Sequence, residues 1–266
     1  MAKVGIIGAG NMGYAFLKGA LKTYDKADLI FTDANEGRMR QVYAETSVRF
    51  AESNAECASH SAIVVLAVKP QVMPQVLKSI VNVLTPQHIV ISMAAGWSIQ
   101  ALKNALGNDR RIVRIMPNTP ALIGHGMTGM SCRPEEFSRA EQDEVAGLLA
   151  ALGKVELVPE NLMDAVTCVS GSAPAYVYMF IEALADGAVR CGMPRAQAYR
   201  FAAQAVEGAA AMVAETGRHP AELKDAVCSP AGTTIEGVAA LEECGFRAAV
   251  LSAMDACRER CEEMKM

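Results

Sequence analysis

Short apolar runs rich in isoleucine and valine alternate with helix-like segments as far as about Val158. The runs are VGIIG, DLIFTD, SAIVVLAV, HIVISMA, RIVRIMPN and KVELVP. Runs of this kind, separated by helical segments, are typical of βαβ units and of a parallel sheet covered on both faces. Ser138 and Glu141 have the spacing of a capping box that begins a helix reaching Leu152. The pattern predicts an α/β first domain.

Strand-like runs disappear after Asn161, and long helical patterns take their place. Pro174 begins a pattern that extends to about Cys191. Further patterns extend to Thr216, from about His219 to Cys228, and beyond Gly232 and Gly245. We therefore predict an α/β domain at residues 1–160 and an all-α domain at residues 161–266. The alanine-rich helices fit an obligate dimer through this half or a monomeric bundle, and the sequence does not choose between them.

The composition is that of a well-buried globular protein. Of 266 residues, 52% are hydrophobic and 20% are charged, and the net charge is −4. A slightly acidic chain argues against a nucleic acid or a membrane surface as partner, since both favour a basic face. The longest apolar run, Ser61 to Val68, is shorter than a membrane span. The first residues enter a strand without a signal-peptide pattern, which predicts a cytoplasmic protein.

The eight cysteines are scattered and contain no CxxC pair. Cys257 and Cys261 are four residues apart on a predicted helix and so share a face. Two thiols without further ligands make a poor metal site. We therefore expect reduced cysteines that pack as small apolar residues, and no metal.

A glycine motif follows the first predicted strand. In VGIIGAGNMG, Gly8, Gly10 and Gly13 have the GxGxxG spacing of a dinucleotide-binding turn. Asp33 ends the second strand, about 20 residues further on, where such proteins bind the ribose. Asp33 favours NADH and would repel a 2′-phosphate. Arg38 offsets that charge or is simply a solvated helix residue, so both NADPH and NADH stay open as cofactors.

Other strand ends carry the same kind of loop. AVKPQ, AAGWS and MPNTP follow the third, fourth and fifth strands. In open α/β sheets ligands bind along the carboxyl ends of the strands. These loops therefore predict a lined crevice.

The stretch KDAVCSPAGTTIEG builds an unusual helix entry. Thr233 and Glu236 have capping-box spacing, which predicts a helix beginning at Thr233 or Thr234. The preceding bend at Ser229 to Gly232 would turn amides and hydroxyls in one direction. The stretch is therefore interpreted either as a binding site for a small anion, such as a substrate carboxylate, or as the capped start of a structural helix.

Taken together, these motifs resemble those of the pyrroline-5-carboxylate reductases. The resemblance covers essentially the whole chain and rests on GIIGAGNMG, LAVKPQ, AAG, RIMPNTP, VSGSAPAY and LKDAVCSPAGTTIEG. It implies an N-terminal Rossmann-like parallel-sheet domain followed by an all-α C-terminal dimerisation domain, in a homodimer often assembled into a decamer. The implied reaction is hydride transfer from NADPH or NADH to 1-pyrroline-5-carboxylate, which forms L-proline in the last biosynthetic step.

The resemblance also implies site residues. Those expected to bind the cofactor, with Asp33 added from the motif, are Gly8, Ala9, Gly10, Asn11, Met12, Gly13, Asp33, Asn54, Val68, Lys69, Pro70 and Ala95. Those expected to meet the substrate are Glu160, Gly232, Thr233 and Thr234, with Ser229 and Thr234 as catalytic candidates. Thr234 would hydrogen-bond the ring nitrogen. The chain has Ala173 and Ala231 where relatives often have glycine, Ala226 where many have asparagine, and Asp33 despite the family's usual preference for NADPH.

Two alternatives stay open at this point. A β-hydroxyacid dehydrogenase-like oxidoreductase begins similarly, with GxGxMG, but carries a lysine that SGSAPAYVYMFIEAL lacks. A regulatory protein that senses NAD(P) without turnover would have the same glycine motif.

Overall fold

The apolar runs form the strands of one sheet. The structure is a computed structural model that describes residues 2–265. The strands are β1 (Ala2–Ile7), β2 (Leu29–Thr32), β3 (Ser61–Leu66), β4 (Ile89–Ser92), β5 (Arg111–Met116), β6 (Gly126–Cys132) and β7 (Gly153–Leu157). Their order in the sheet is β2-β1-β3-β4-β5-β6-β7. Neighbours from β2 to β5 pair in parallel, β6 is antiparallel to β5, and β7 is parallel to β6.

Helices occupy the connections and the whole second half. They are α1 (Asn11–Ala20), α2 (Glu36–Thr46), α3 (Asn54–Ser59), α4 (Met73–Ile80), α5 (Ile99–Leu106), α6 (Arg139–Ala150), α7 (Met163–Val166), α8 (Ala173–Arg190), α9 (Arg195–Thr216), α10 (Pro220–Val227), α11 (Thr233–Glu243) and α12 (Phe246–Glu263). A π-helical segment, Thr167–Ser172, directly precedes α8. The predicted capping box at α6 is confirmed, because Ser138 and Glu141 each accept from the other's backbone amide.

Both faces of the sheet are buried, as the unbroken apolar runs predict. Along β3, Ile63 and Val65 pack into one cluster with Phe16 of α1. Val64 and Leu66 point the other way, into a second cluster with Leu77 of α4. Because successive side chains alternate across a strand, a strand covered on both sides must be apolar throughout.

Strand β6 is missing from the sequence-based prediction. Its sequence, GMTGMSC, contains two glycines and few branched residues, so its intrinsic strand preference is weak. A Cβ at Gly126 would lie 2.6 Å from the carbonyl oxygen of Leu152, so glycine allows close approach of the chain before β7. Tertiary packing, and not local sequence preference, therefore determines that this segment forms a strand.

Internal contacts divide the chain into two compact units. The sheet unit comprises Met1–Ser172 and Cys257–Met266, and the helical unit comprises Ala173–Ala256. The end of α12 thus belongs with the sheet. The predicted domain boundary at residue 160 stays a prediction.

The helical unit has a small core and much exposed apolar surface. Ala185, Ala198 and Ala202 of α8 and α9 are its buried centre, and Met193 packs against them. Larger apolar side chains lie at the surface, and they include Tyr178, Met179, Phe201, Val227 and Leu251. Within the described residues, no helix is both long and apolar enough to cross a membrane.

Candidate functional site

The carboxyl ends of five strands line one crevice in the sheet unit. Its volume is about 920 Å³. Ten of the twelve residues expected to bind the cofactor line it, namely Gly8, Gly10, Asn11, Met12, Asp33, Asn54, Val68, Lys69, Pro70 and Ala95. The other two, Ala9 and Gly13, are buried beneath the turn. The crevice lies where the strand order reverses between β1 and β3, which is the ligand position of open α/β sheets.

The three motif glycines are needed for different reasons. Gly8 has φ +98°, and a Cβ there would lie 2.6 Å from the carbonyl oxygen of Ala67. A Cβ at Gly13 would lie 1.8 Å from the carbonyl oxygen of Gly8. At Gly10, by contrast, a Cβ would meet no atom of residues 2–265 within 4 Å. The protein's own packing therefore requires Gly8 and Gly13, whereas Gly10 leaves space for a ligand.

The N-terminus of α1 opens onto that space. Gly10 is its N-cap, and no side chain among the described residues caps it. The amides of the first turn therefore lack a side-chain acceptor, and the helix dipole favours an anion there. A dinucleotide's pyrophosphate fits this chemistry.

Two opposite charges meet at the peptide groups of Ala9. Its amide donates to Asp33 Oδ2 at 2.6 Å, and Asp33 Oδ1 accepts from the amide of Asn35 at 2.9 Å. The Nε of Arg38 donates to the carbonyl oxygen of Ala9 at 2.7 Å. Arg38 is therefore not a freely solvated helix residue, because it is anchored beside Asp33.

A tyrosine supports the arginine. The Arg38 guanidinium lies 4.8 Å from the ring centroid of Tyr14, within cation–π range. The Tyr14 hydroxyl donates to the carboxylate of Glu45, and this bond raises the pKa of Tyr14. The tyrosine ring thus helps hold Arg38 in place.

One residue from near the C-terminal end of α12 also lines the crevice. Met264 lines it, and a Cβ at Gly96 would lie 2.2 Å from the Met264 carbonyl oxygen. Sequence reasoning missed Met264, because no local pattern indicates that the end of α12 returns to the sheet.

Glu160 is occupied within the sheet unit. Its Oε1 accepts from the amide of Ile99, the first residue of α5, at 2.6 Å. The same oxygen lies 3.4 Å from Nη1 of Arg114, whose side chain is 7% exposed. This carboxylate therefore stabilises the start of α5 and pairs with a buried cation. Its contact with substrate stays a prediction.

The helix entry at Ser229 to Thr234 forms as a turn followed by α11. The Gly232 amide donates to the Ser229 carbonyl oxygen at 3.0 Å, and α11 begins at Thr233 as predicted. The predicted capping box of Thr233 with Glu236 is wrong. Gly232 takes the N-cap position, so the residue three further on is Ile235, which has no acceptor.

The missing cap leaves the α11 entry available to a ligand. No side chain of the described chain accepts from its first-turn amides. A Cβ at Gly232 would lie 2.2 Å from Ser229 Oγ, so the serine hydroxyl sits directly over the helix entry. Thr233 and Thr234 are exposed beside it. The alternative interpretation, a structural helix with a side-chain cap, is therefore not supported by the structure.

The fold and the crevice together are those of a Rossmann-type dinucleotide-binding protein. A family model described as NADP oxidoreductase, coenzyme F420-dependent, matches residues 3–96, and one described as pyrroline-5-carboxylate reductase dimerisation matches residues 160–264. The chain belongs to the pyrroline-5-carboxylate reductase family. It uses NAD(P)H to reduce 1-pyrroline-5-carboxylate to L-proline in proline biosynthesis. The dimerisation model indicates a homo-oligomer.

Individual relatives resemble the chain over nearly its whole length. The pyrroline-5-carboxylate reductase of Escherichia coli (strain K12) is 47% identical over 266 residues, covering 98% of each chain. The Synechocystis enzyme is 44% identical, again covering 98% of each. The crystal structure of Plasmodium falciparum pyrroline carboxylate reductase with NADP bound has a TM-score of 0.90 at 31% identity, covering 100% of this chain and 98% of that one. These matches decide against the dehydrogenase and sensor alternatives.

Proposed function

We propose that the crevice of the sheet unit holds the nicotinamide cofactor, with its pyrophosphate at the N-terminus of α1. The observation that carries this is the open space at Gly10 above uncapped amides. The residues proposed to hold it are the twelve expected from the sequence, Gly8 to Gly13, Asp33, Asn54, Val68 to Pro70 and Ala95. When bound, the cofactor supplies the hydride for the reduction.

We propose that Asp33 and Arg38 together set the choice between NADH and NADPH. Both are anchored to Ala9, so one position presents an acceptor for a ribose hydroxyl and a cation for a 2′-phosphate. Asp33→Asn keeps an acceptor for the Ala9 amide but removes the charge. It should raise kcat/KM with NADPH relative to NADH, and Arg38→Gln should lower that ratio. An unchanged ratio in both variants would show that neither residue senses the ribose.

The substrate carboxylate is proposed to bind at the entry of α11. The first-turn amides of α11 and the hydroxyls of Ser229 and Thr233 would surround it, while the Gly232 amide stays in the turn. A desolvated carboxylate is stable only when it is fully hydrogen-bonded, and this entry offers several donors without a basic residue. Glu160 is retained as a further candidate for substrate contact.

Thr234 is proposed to hold the proton at the ring nitrogen. Its hydroxyl can accept from a protonated imine nitrogen, and protonation makes carbon 5 more electrophilic. Ser229 is the second catalytic candidate, through its hydroxyl over Gly232. The remaining rate enhancement comes from holding the ring in one orientation, which is worth several kcal/mol in well-oriented reactions, up to roughly 7–11 kcal/mol.

Substrate truncation tests the proposed carboxylate seat. kcat/KM would be measured for 1-pyrroline-5-carboxylate and for 1-pyrroline, which lacks the carboxylate. The wild type should prefer the acid, and Ser229→Ala should lose about 10-fold or more of that preference, since a hydrogen bond to a charged group is worth about 1.5–3 kcal/mol. The control Ser252→Ala changes an exposed serine of the helical unit, which also contains Ser229, and should keep the preference. If Ser229→Ala slows both substrates equally, the carboxylate binds elsewhere.

The role of Thr234 needs a separate comparison. Thr234→Val should lower kcat on both substrates, because both present the ring nitrogen, whereas Thr234→Ser should restore it. Full turnover by Thr234→Val would remove Thr234 from the mechanism.

The assembly is proposed to be a homodimer through the helical unit, with a decamer as its larger form. The exposed apolar side chains of this unit support the proposal, because a monomer rarely leaves such a surface in water. Light scattering over a range of concentrations would give the mass of the assembly, and a monomer throughout would overturn the proposal. A cytoplasmic location stays a prediction.

A further inference from the structure

Three cysteine side chains from two separate segments of the chain meet in the sheet unit. Cys257 and Cys261 lie about one turn apart on α12, and Cys168 lies in the π-helical segment. Their sulfur atoms all lie within 4.8 Å of one another. Cys168 and Cys261 are 2% and 7% exposed, whereas Cys257 is partly exposed. The fold thus adds a third thiol to the pair that the sequence alone supplies.

The spacing of these sulfur atoms suits a small thiophilic ion. Zinc binds thiolates at about 2.3 Å, so two sulfurs of a tetrahedral site are about 3.8 Å apart. A cluster in which no pair exceeds 4.8 Å reaches that separation by small rotamer changes. Thiolate ligands select soft ions such as Zn²⁺ over Mg²⁺ or Ca²⁺. We propose that Cys168, Cys257 and Cys261 form a binding site for one Zn²⁺ ion per chain.

A fourth ligand and an entry path are both at hand. The Ser172 hydroxyl lies 3.2 Å from the Cys257 sulfur and offers an oxygen for the fourth position, which a water could also fill. The ion would reach the cluster past Cys257, the partly exposed member. Three protein sulfurs and one oxygen complete the tetrahedral coordination that zinc prefers.

Binding exchanges protons for the ion. Without a metal, burial raises the pKa of Cys168 to about 12 and raises that of Cys261 as well, so the thiols keep their protons. Zn²⁺ would displace three protons to solvent and form three Zn–S bonds, since a coordinating thiol is deprotonated outright. Three thiolates and Zn²⁺ carry one net negative charge.

Charged side chains of the sheet unit lie near the cluster. Asp164 is close enough to Cys261 to raise its pKa. Asp164 is itself 2.8 Å from Lys265 Nζ and 3.8 Å from Arg114 Nη2. Because Glu160 also pairs with Arg114, the two cations and two carboxylates of this group carry no net charge beside the proposed ion.

The ion would join the end of α12 to the π-helical segment. Met264, three residues after Cys261, lines the cofactor crevice and packs on Gly96. The site would therefore stabilise the sheet unit at the edge of that crevice.

Cobalt spectroscopy tests the site directly. Tag-free protein, reduced and freed of metal by a chelator, would be titrated anaerobically with Co²⁺. We expect thiolate charge-transfer bands and tetrahedral ligand-field bands that saturate at one ion per chain and disappear when Zn²⁺ is added. Zn²⁺ should also raise the melting temperature of the chelated protein.

Serine variants identify the ligands. We expect at least about 10-fold weaker Zn²⁺ binding in each of three single variants, Cys168→Ser, Cys257→Ser and Cys261→Ser. Loss of a residue that only supports a metal ligand already weakens binding by about 10- to 100-fold, and loss of a ligand should cost no less. Cys191→Ser, an exposed cysteine of the helical unit, should bind Zn²⁺ as the wild type does. Circular dichroism would confirm that each variant is folded. The proposal is overturned if the wild type shows no thiolate bands, or if the bands survive in the triple variant.

Discussion

Ala231 is held in a backbone conformation that suits glycine. It has φ +55°, and within the described chain Ser47 is the other non-glycine residue with positive φ. The turn closes by the bond from the Gly232 amide to the Ser229 carbonyl oxygen, with Pro230 and Ala231 at its centre. A type II turn has this hydrogen bond, favours proline at its second position and needs positive φ at the third, where an alanine methyl is strained. Ala231→Gly should therefore stabilise the protein.

The size of the gain follows from two opposing effects. A non-glycine residue in the left-handed region costs about 1–2 kcal/mol, which glycine would avoid. Glycine also gives the unfolded chain more freedom, which offsets about 0.4–1 kcal/mol. The net stabilisation should be about 0.5–1 kcal/mol, or a rise of about 1–4 °C in melting temperature.

Urea unfolding and thermal melts at one fixed protein concentration would measure the change. Ala105→Gly, at an exposed position of α5, is the matched control and should lose about 0.5–1 kcal/mol. The substrate KM of Ala231→Gly should stay unchanged, because the turn is retained. If Ala231→Gly loses stability as the control does, the methyl is not strained and the argument fails.

Three further predictions concern the sheet unit. Gly10→Ala should fold with wild-type stability yet bind NADPH about 10- to 100-fold more weakly in a fluorescence titration. Gly13→Ala should instead lose at least about 1–3 kcal/mol of stability. The same change in stability and in NADPH affinity for both variants would contradict the different roles of the two glycines. Burial lowers the pKa of His88 below 6.5, so the unfolded chain binds a proton at a higher pH than the folded chain does. The free energy of unfolding should therefore decrease as the pH falls below about 6.5. Urea unfolding at several pH values would measure this decrease, which should be smaller in His88→Gln. Glu160→Ala should lose about 1–2 kcal/mol of stability in urea unfolding, because the Ile99 amide and Arg114 lose their acceptor, and Glu160→Gln should lose less. A raised substrate KM at unchanged stability would instead indicate that Glu160 contacts the substrate.

Local chemistry made much of the fold predictable. The alternation of apolar runs and helices indicated six of the seven strands, and the Ser138–Glu141 pair located the start of α6. The GxGxxG turn indicated the crevice, because its glycines meet needs that lie within a few residues of the chain. These features depend on period, turn geometry and capping, which short segments carry by themselves.

The α11 entry shows where local reasoning was insufficient. Thr233 and Glu236 have the right spacing for a capping box, yet the helix begins one residue too early for that box to form. The turn before it decides where the helix begins, since it brings Gly232 to the N-cap position. A spacing rule contains no information about that turn.

Short-range sequence patterns established the class of fold, the glycine turn and the resemblance to a family of reductases, because these depend on neighbours along the chain. Long-range packing, by contrast, established that β6 joins the sheet, that Glu160 binds the start of α5, and that Met264 reaches the crevice. It also brought Cys168 to Cys257 and Cys261. Each of these contacts joins residues that lie far apart in sequence. Which distant residues meet depends on the packing of the whole chain, including its close backbone approaches and its buried charges.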